Sequence, residues 1–134
     1  MIFFDTNVLV YATIDQNMEK FERATQQIDE AIQIDSFCIS PLVLSEYIFI
    51  LSKLKIIHEQ HEKVMMFSKY VVSDIDNEIV IQAYALCSNL NFCKNINDVM
   101  HLKIAEQSCQ KLVTFDSDFK RLQKHTNIEI EILK

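Results

Sequence analysis

Residues 1–11 read MIFFDTNVLVY: a bulky apolar run that stops at Asp5, followed at once by Thr6 and Asn7. The run Ile2 to Phe4 is short and apolar enough for a buried strand, and Val8 to Tyr11 continues it toward a helix. A charge placed there has few structural uses beyond capping the helix that follows. If the strand is buried and parallel to its neighbours, however, Asp5 stands at its carboxyl end, where open α/β sheets place their ligands.

Other segments repeat the pattern. From Glu19 to Ile34, apolar Phe21, Ala24, Ile28, Ala31 and Ile32 recur at three- and four-residue intervals, predicting an amphipathic helix. SFCIS, Ser36 to Ser40, reads as a second buried strand. Ser40-Pro41 then supplies an N-cap and first-turn proline for a helix of about a dozen residues, apolar nearly all round. Further helices are expected over 59–71, 77–90 and 98–109. KLVTFD reads as a strand, SDFKRLQK as a short helix or turn, and IEIEIL as a half-exposed edge strand of period two. Short strands separated by helices of this length imply an α/β fold: a short central parallel sheet flanked by helices on both faces.

Composition narrows the function. A chain of 134 residues, 49% hydrophobic and 24% charged, is one domain's worth, so a single domain over 1–134 is expected. No apolar run is long enough to span a membrane and no signal peptide is visible, which points to the cytoplasm. Glycine is absent, excluding glycine-rich phosphate loops. Cys38, Cys87, Cys93 and Cys109 show no CxxC spacing and lie in or beside apolar segments, as buried thiols would. Net charge is −6, with −7 over residues 1–93 and +1 over 94–134, so a nucleic-acid contact should favour the C-terminal part. There Lys94, Lys103, Lys111, Lys120, Arg121 and Lys124 are candidates to line an approach, or to be solvated surface.

The acids carry the chemistry. Asp5 and Asp116 occupy equivalent strand ends, Glu46 lies inside the most apolar helix, and Asp98 falls in the first turn of another; Asp118 follows Asp116 by two. Each has a structural use as well: Asp98 would complement a helix dipole, Asp116 and Asp118 would cap, and Glu46 would pair with Lys53 or an arginine. Taken together they come from separate segments that this fold can gather. Carboxylates that repel one another require a cation, and an all-oxygen cluster suits Mg²⁺ or Mn²⁺, which favour phosphate oxygens. His101 stands three residues after Asp98, about one helical turn on, where it could support the site, with a partly buried or surface histidine as the default; His58 and His61, expected to share a helix face without further ligands, are read as structural.

With these residues in view, FFDTNVLVY, ISPLVLSE, NDVMHLKIAE and LVTFDSDF together resemble a PIN-domain ribonuclease of the VapC-like toxins of type II toxin–antitoxin pairs. The resemblance spans almost the whole chain and implies a PIN-like fold and Mg²⁺- or Mn²⁺-dependent hydrolysis of RNA. It implies Asp5, Glu46, Asp98 and Asp116 as catalytic and metal-holding acids, with Thr6, Asn7, Thr114 and Asp118 in support. It also implies a homodimer and a small cognate antitoxin. Met65, Met66 and Phe67 are candidates for a shared surface, although core packing is the default reading. The rival reading is a PIN-like protein- or RNA-binding module that cuts nothing, its acids incomplete or misaligned.

Overall fold

The computed structural model describes residues 1–72 and 74–134. β1 (Ile2–Phe4) runs into α1 (Thr6–Thr13), and α2 (Met18–Gln33) leads back to β2 (Phe37–Cys38). Then come α3 (Pro41–Lys53), α4 (His61–Ser68), α5 (Asn77–Asn89), a 3-10 turn at Cys93–Asn95 and α6 (Ile96–Ser108). β3 (Lys111–Thr114), a 3-10 helix over Ser117–His125 and β4 (Glu129–Ile132) complete the order.

The four strands form one parallel sheet in the order β2-β1-β3-β4. Successive residues of a strand face opposite sides, yet both Phe3 and Phe4, and both Leu112 and Val113, are buried. Both faces of the sheet are therefore covered, as the near-continuous apolar strands require. Only β4 alternates: Ile130 and Ile132 pack against the core while Glu129 is exposed, in keeping with its place at an edge.

The chain leaves β1 for β2 on one side and crosses back to β3 on the other, so the order reverses between β1 and β3. That switch point opens at the carboxyl edge, where Asp5 follows β1 and Asp116 follows β3. Helices that connect parallel strands run antiparallel to them, so α3, after β2, and α6, before β3, both start at this edge. That constraint brings the first turns of α3 and α6, and with them Glu46 and Asp98, toward this edge.

Local chemistry sets the helix ends. The Ser40 hydroxyl accepts from the Val43 N–H at 3.1 Å, with Pro41 opening α3 as expected, and Asp76 caps α5 through Ile79 N–H at 3.1 Å. Without glycine, three helices close through residues forced into the left-handed region: Asp35 (φ 56°), Lys55 (φ 61°) and Asn91 (φ 52°). Each follows a paired C-terminal bond pattern, as where Ile56 N–H reaches Leu51 O and Lys55 N–H reaches Ser52 O, both at 3.0 Å.

Three expectations are corrected. α4 covers His61–Ser68 and not 59–71, so His58 lies outside it and the two histidines share no helix face; both are exposed. The chain beyond α4 instead bridges Val71 to Ile39, prolonging the β2 side of the sheet. The cysteines are not four buried thiols: Cys87 and Cys93 are joined, because the left-handed turn at Asn91 folds the end of α5 back on the 3-10 turn, and Cys93 is exposed. Cys38 and Cys109 are free and buried. Finally, Met65, Met66 and Phe67 do not act alike. Phe67 belongs to the core against Phe37 and Tyr47, whereas Met65 is exposed. Among the described residues no helix is long and apolar enough to cross a membrane.

Candidate active site

Asp5 is 5% exposed and bound from three sides. Its Oδ1 accepts from the Thr6 N–H at 2.7 Å, which makes it the cap of α1 as well. Its Oδ2 accepts from the Thr114 hydroxyl at 2.7 Å and from the Asn7 amide at 3.2 Å. Asn7 also donates to Thr114 Oγ1 at 3.2 Å and accepts from the Phe115 N–H at 3.1 Å. The residues after β1 are thereby locked to the end of β3. Thr114 Oγ1 in turn accepts from the Asp116 N–H at 3.0 Å, so one hydroxyl positions two acids.

Glu46 is held across the gap from α3. Its Oε1 accepts from the Thr6 hydroxyl at 2.6 Å and pairs with His101 Nε2 at 2.8 Å; its Oε2 accepts from the Asn97 amide at 3.0 Å. The pairing with Lys53 considered from the sequence does not occur, since that ammonium lies over the Phe49 ring at 5.8 Å. Asp98 accepts from the Asn95 amide at 3.2 Å.

Asp5, Glu46, Asp98 and Asp116 line one open cleft. Asp118 does not: its N–H donates to Asp116 Oδ1 at 2.9 Å, and it borders a separate depression beside Lys94 and Arg121. None of the six C-terminal cations lines the acid cleft. Lys103 pairs with Glu106 at 3.1 Å, Lys111 pairs with Glu131, and Arg121 stacks on Phe92 at 4.4 Å. Three of those cations are thus engaged by local partners, and Lys94 lines the separate depression with Arg121.

The electrostatics match a gathered set of acids. Burial pushes the Asp5 carboxyl up, against the opposing pull of His101, Thr114 and Thr6. Burial, with the charges of Asp5 and Asp116, raises Asp98 to about 6, which Asn95 and His101 only partly offset. Burial would raise Glu46 too, but His101, Thr6 and Asn97 outweigh it and hold this carboxyl below its ordinary range. For His101 burial opposes the charged form, and Glu46, Asp5 and Asp98 overcome it and raise its pKa.

His101 is the residue that sequence reasoning set aside. It is 1% exposed, its Nε2 lies 3.6 Å from Asp5 Oδ1 as well as 2.8 Å from Glu46, and its buried Nδ1 has no hydrogen-bond partner among the described residues. Asp5, Glu46 and His101 offer ligand atoms that all lie within 4.8 Å of one another. The three-residue spacing from Asp98 was the signal, since i and i+3 share a helix face. Four acids with at most one imidazole form an oxygen-rich donor set, which fits a hard divalent cation.

The family model of the PIN domain matches residues 2–125. The chain belongs to the PIN-domain family. Among solved structures, this PIN domain resembles a chain in the crystal structure of VapBC2 from Rickettsia felis bound to a DNA fragment from their promoter, with a TM-score of 0.70 and 22% identity over 100% of both chains. At that identity the likeness shows the fold. No curated protein matches this PIN domain.

Proposed function

We propose that this PIN domain, one domain over 1–134, is a divalent-metal-dependent endoribonuclease and the toxin of a type II toxin–antitoxin pair, acting in the cytoplasm. The observation that carries the reading is the convergence of Asp5, Glu46, Asp98 and Asp116, from four separated segments, on one cleft at the switch point of a PIN fold. A non-catalytic module has no need to bury and gather four acids in one cleft, where burial and then the charges of Asp5 and Asp116 raise Asp98 to about 6.

Asp5, Asp98, Asp116 and Glu46 would hold Mg²⁺ or Mn²⁺. When bound, the ion supplies charge to a phosphate and lowers the pKa of a water. The chain's own residues provide the mount. Thr114 and Asn7 orient Asp5 through Oδ2 and the Thr6 N–H holds Oδ1, which leaves one Oδ1 lone pair for the cleft. Glu46 stays ionised at neutral pH because His101, Thr6 and Asn97 all donate to it. The hydrogen bonds from Thr6 and His101 also set the distance between α3 and the Asp5 loop, so the two acids cannot drift apart. Asp118 is assigned the auxiliary role of holding Asp116 through its backbone N–H.

The partners proposed are an RNA substrate, a small cognate antitoxin and a second copy of the chain. The likeness to VapBC2, a pair bound to promoter DNA, supports the antitoxin assignment. Exposed Met65 and Ile48, beside the apolar cleft between α3 and α4, offer surface for a protein partner. The test is incubation of purified protein with RNA in Mg²⁺ or Mn²⁺ and in chelator. Cleavage that requires the metal supports the reading, and metal-independent cutting or intact RNA overturns it.

A further inference from the structure

The acid cleft has a second wall that the proposed hydrolysis does not use. Phe49 lines it from α3, three residues after Glu46 and so on the same helix face, and is 63% exposed. A phenyl ring left in water beside four carboxylates does nothing for the fold. Tyr11 lines the same cleft from α1, its ring packed edge-on against Phe115 at 5.0 Å.

Each aromatic carries a lysine. Lys53 Nζ sits 5.8 Å from the Phe49 ring centre. Lys20 Nζ sits 4.8 Å from that of Tyr11, 5.6 Å from that of Phe115, and donates to the Tyr11 hydroxyl at 3.4 Å. Lys20 and Lys53, both from the strongly acidic N-terminal part of the chain, are thus held over rings that line the cleft. Rings that carry ammonium groups, set beside a cleft, are what take a single-stranded nucleic acid, with bases on the rings and phosphates on the cations.

We infer that Phe49 is a base-stacking residue that positions the RNA strand over the acids, with Lys53 and the Tyr11-mounted Lys20 receiving the flanking phosphates. This rests on the ribonuclease reading of the cleft. The occupant is a nucleobase and not a protein side chain because the wall is continuous with the acids and its flanking charges are positive. A base held there must be unpaired, which restricts cutting to nucleotides outside a duplex.

The test is the equilibrium affinity and the cleavage kinetics of a short single-stranded RNA with wild type, Phe49→Ala, Phe49→Tyr and Lys20→Gln. Phe49→Ala should bind about 5- to 150-fold more weakly, the range for loss of one stacked base. KM should rise more than kcat falls, and Phe49→Tyr should restore both. Lys20→Gln should flatten the salt dependence of binding, by roughly one unit of slope or a little less for the lost phosphate contact. A single abasic nucleotide next to the cut should weaken wild type but cost Phe49→Ala nothing more. Wild type that cuts RNA with unchanged KM in Phe49→Ala overturns this inference and leaves the nuclease reading standing. Binding through Phe49 without cutting does the reverse. Loss of self-association in Phe49→Ala, with RNA affinity intact, overturns it by assigning the ring to a protein interface.

Discussion

Replacing Asp98 by asparagine isolates the strain of gathering the acids without a cation. The carboxyl is raised from its ordinary 3.8 to about 6, by burial first and then by the charges of Asp5 and Asp116. The folded protein therefore holds this proton more tightly than the unfolded chain does. Its contribution is favourable below about pH 4 and is lost as pH rises through about 6. At 1.36 kcal/mol per pKa unit, ionised Asp98 destabilises the metal-free fold at pH 7 by on the order of 2–3 kcal/mol. Asp5 and His101, both raised, act in the same direction as pH rises, while Glu46, lowered, opposes them by losing stability as pH falls. Asparagine keeps the shape and can still accept from Asn95. In chelator at pH 7, Asp98→Asn should melt roughly 10 °C above wild type, at about 2–8 °C per kcal/mol for domains of this size range. The gap should close toward pH 4, and also in saturating Mn²⁺, where wild type gains about 2.7 kcal/mol at a hundredfold excess over Kd and the variant gains less. The assay is a thermal melt by circular dichroism at several pH values, with and without metal. A variant that melts no higher than wild type in chelator, or a gap that does not change with pH, refutes the claim that the metal-free fold holds ionised Asp98 at a cost, through burial first and the neighbouring charges second.

Thr114→Val removes both the donor to Asp5 and the acceptor for the Asp116 N–H. It should cost about 1–3 kcal/mol in a denaturant titration and lower cleavage strongly, whereas Thr114→Ser retains both; equal activity in the two would count against the hydroxyl. Glu46→Gln should lower the His101 pKa, read from its imidazole proton shifts in an NMR titration, because the hydrogen bond and charge of Glu46 are what raise it. An unmoved value would contradict the pairing. Lys55→Gly should stabilise the protein by about 1 kcal/mol, since glycine adopts the left-handed turn without the side-chain clash. A lower melting temperature would refute that assignment.

The architecture was legible because burial leaves a plain trace in this chain. Phe3-Phe4 and Leu112-Val113 are apolar at consecutive positions, which only a sheet covered on both faces demands, and Ser40-Pro41 marks a helix start without ambiguity. Four acids were legible for a related reason. Asp5 and Asp116 follow strands directly, and parallel strands end at one edge. His101 was not, because spacing along α6 shows that it shares a face with Asp98 but not that this face turns inward. Phe49, Lys20 and Lys53 depend on how α1, α2 and α3 lie together, which no local pattern encodes. The Cys87–Cys93 link was hidden in the same way, since it needs the left-handed turn at Asn91 that a sequence without glycine does not advertise.

The most direct test of the account compares RNA cleavage rates of wild type, Asp5→Asn and Asp118→Asn side by side in Mn²⁺, each checked for an intact fold by circular dichroism. Wild type and Asp118→Asn should cut RNA at similar rates, and Asp5→Asn should be folded and inactive. Cleavage by Asp5→Asn at the wild-type rate would contradict the claim that the acids gathered at the switch point are the working site.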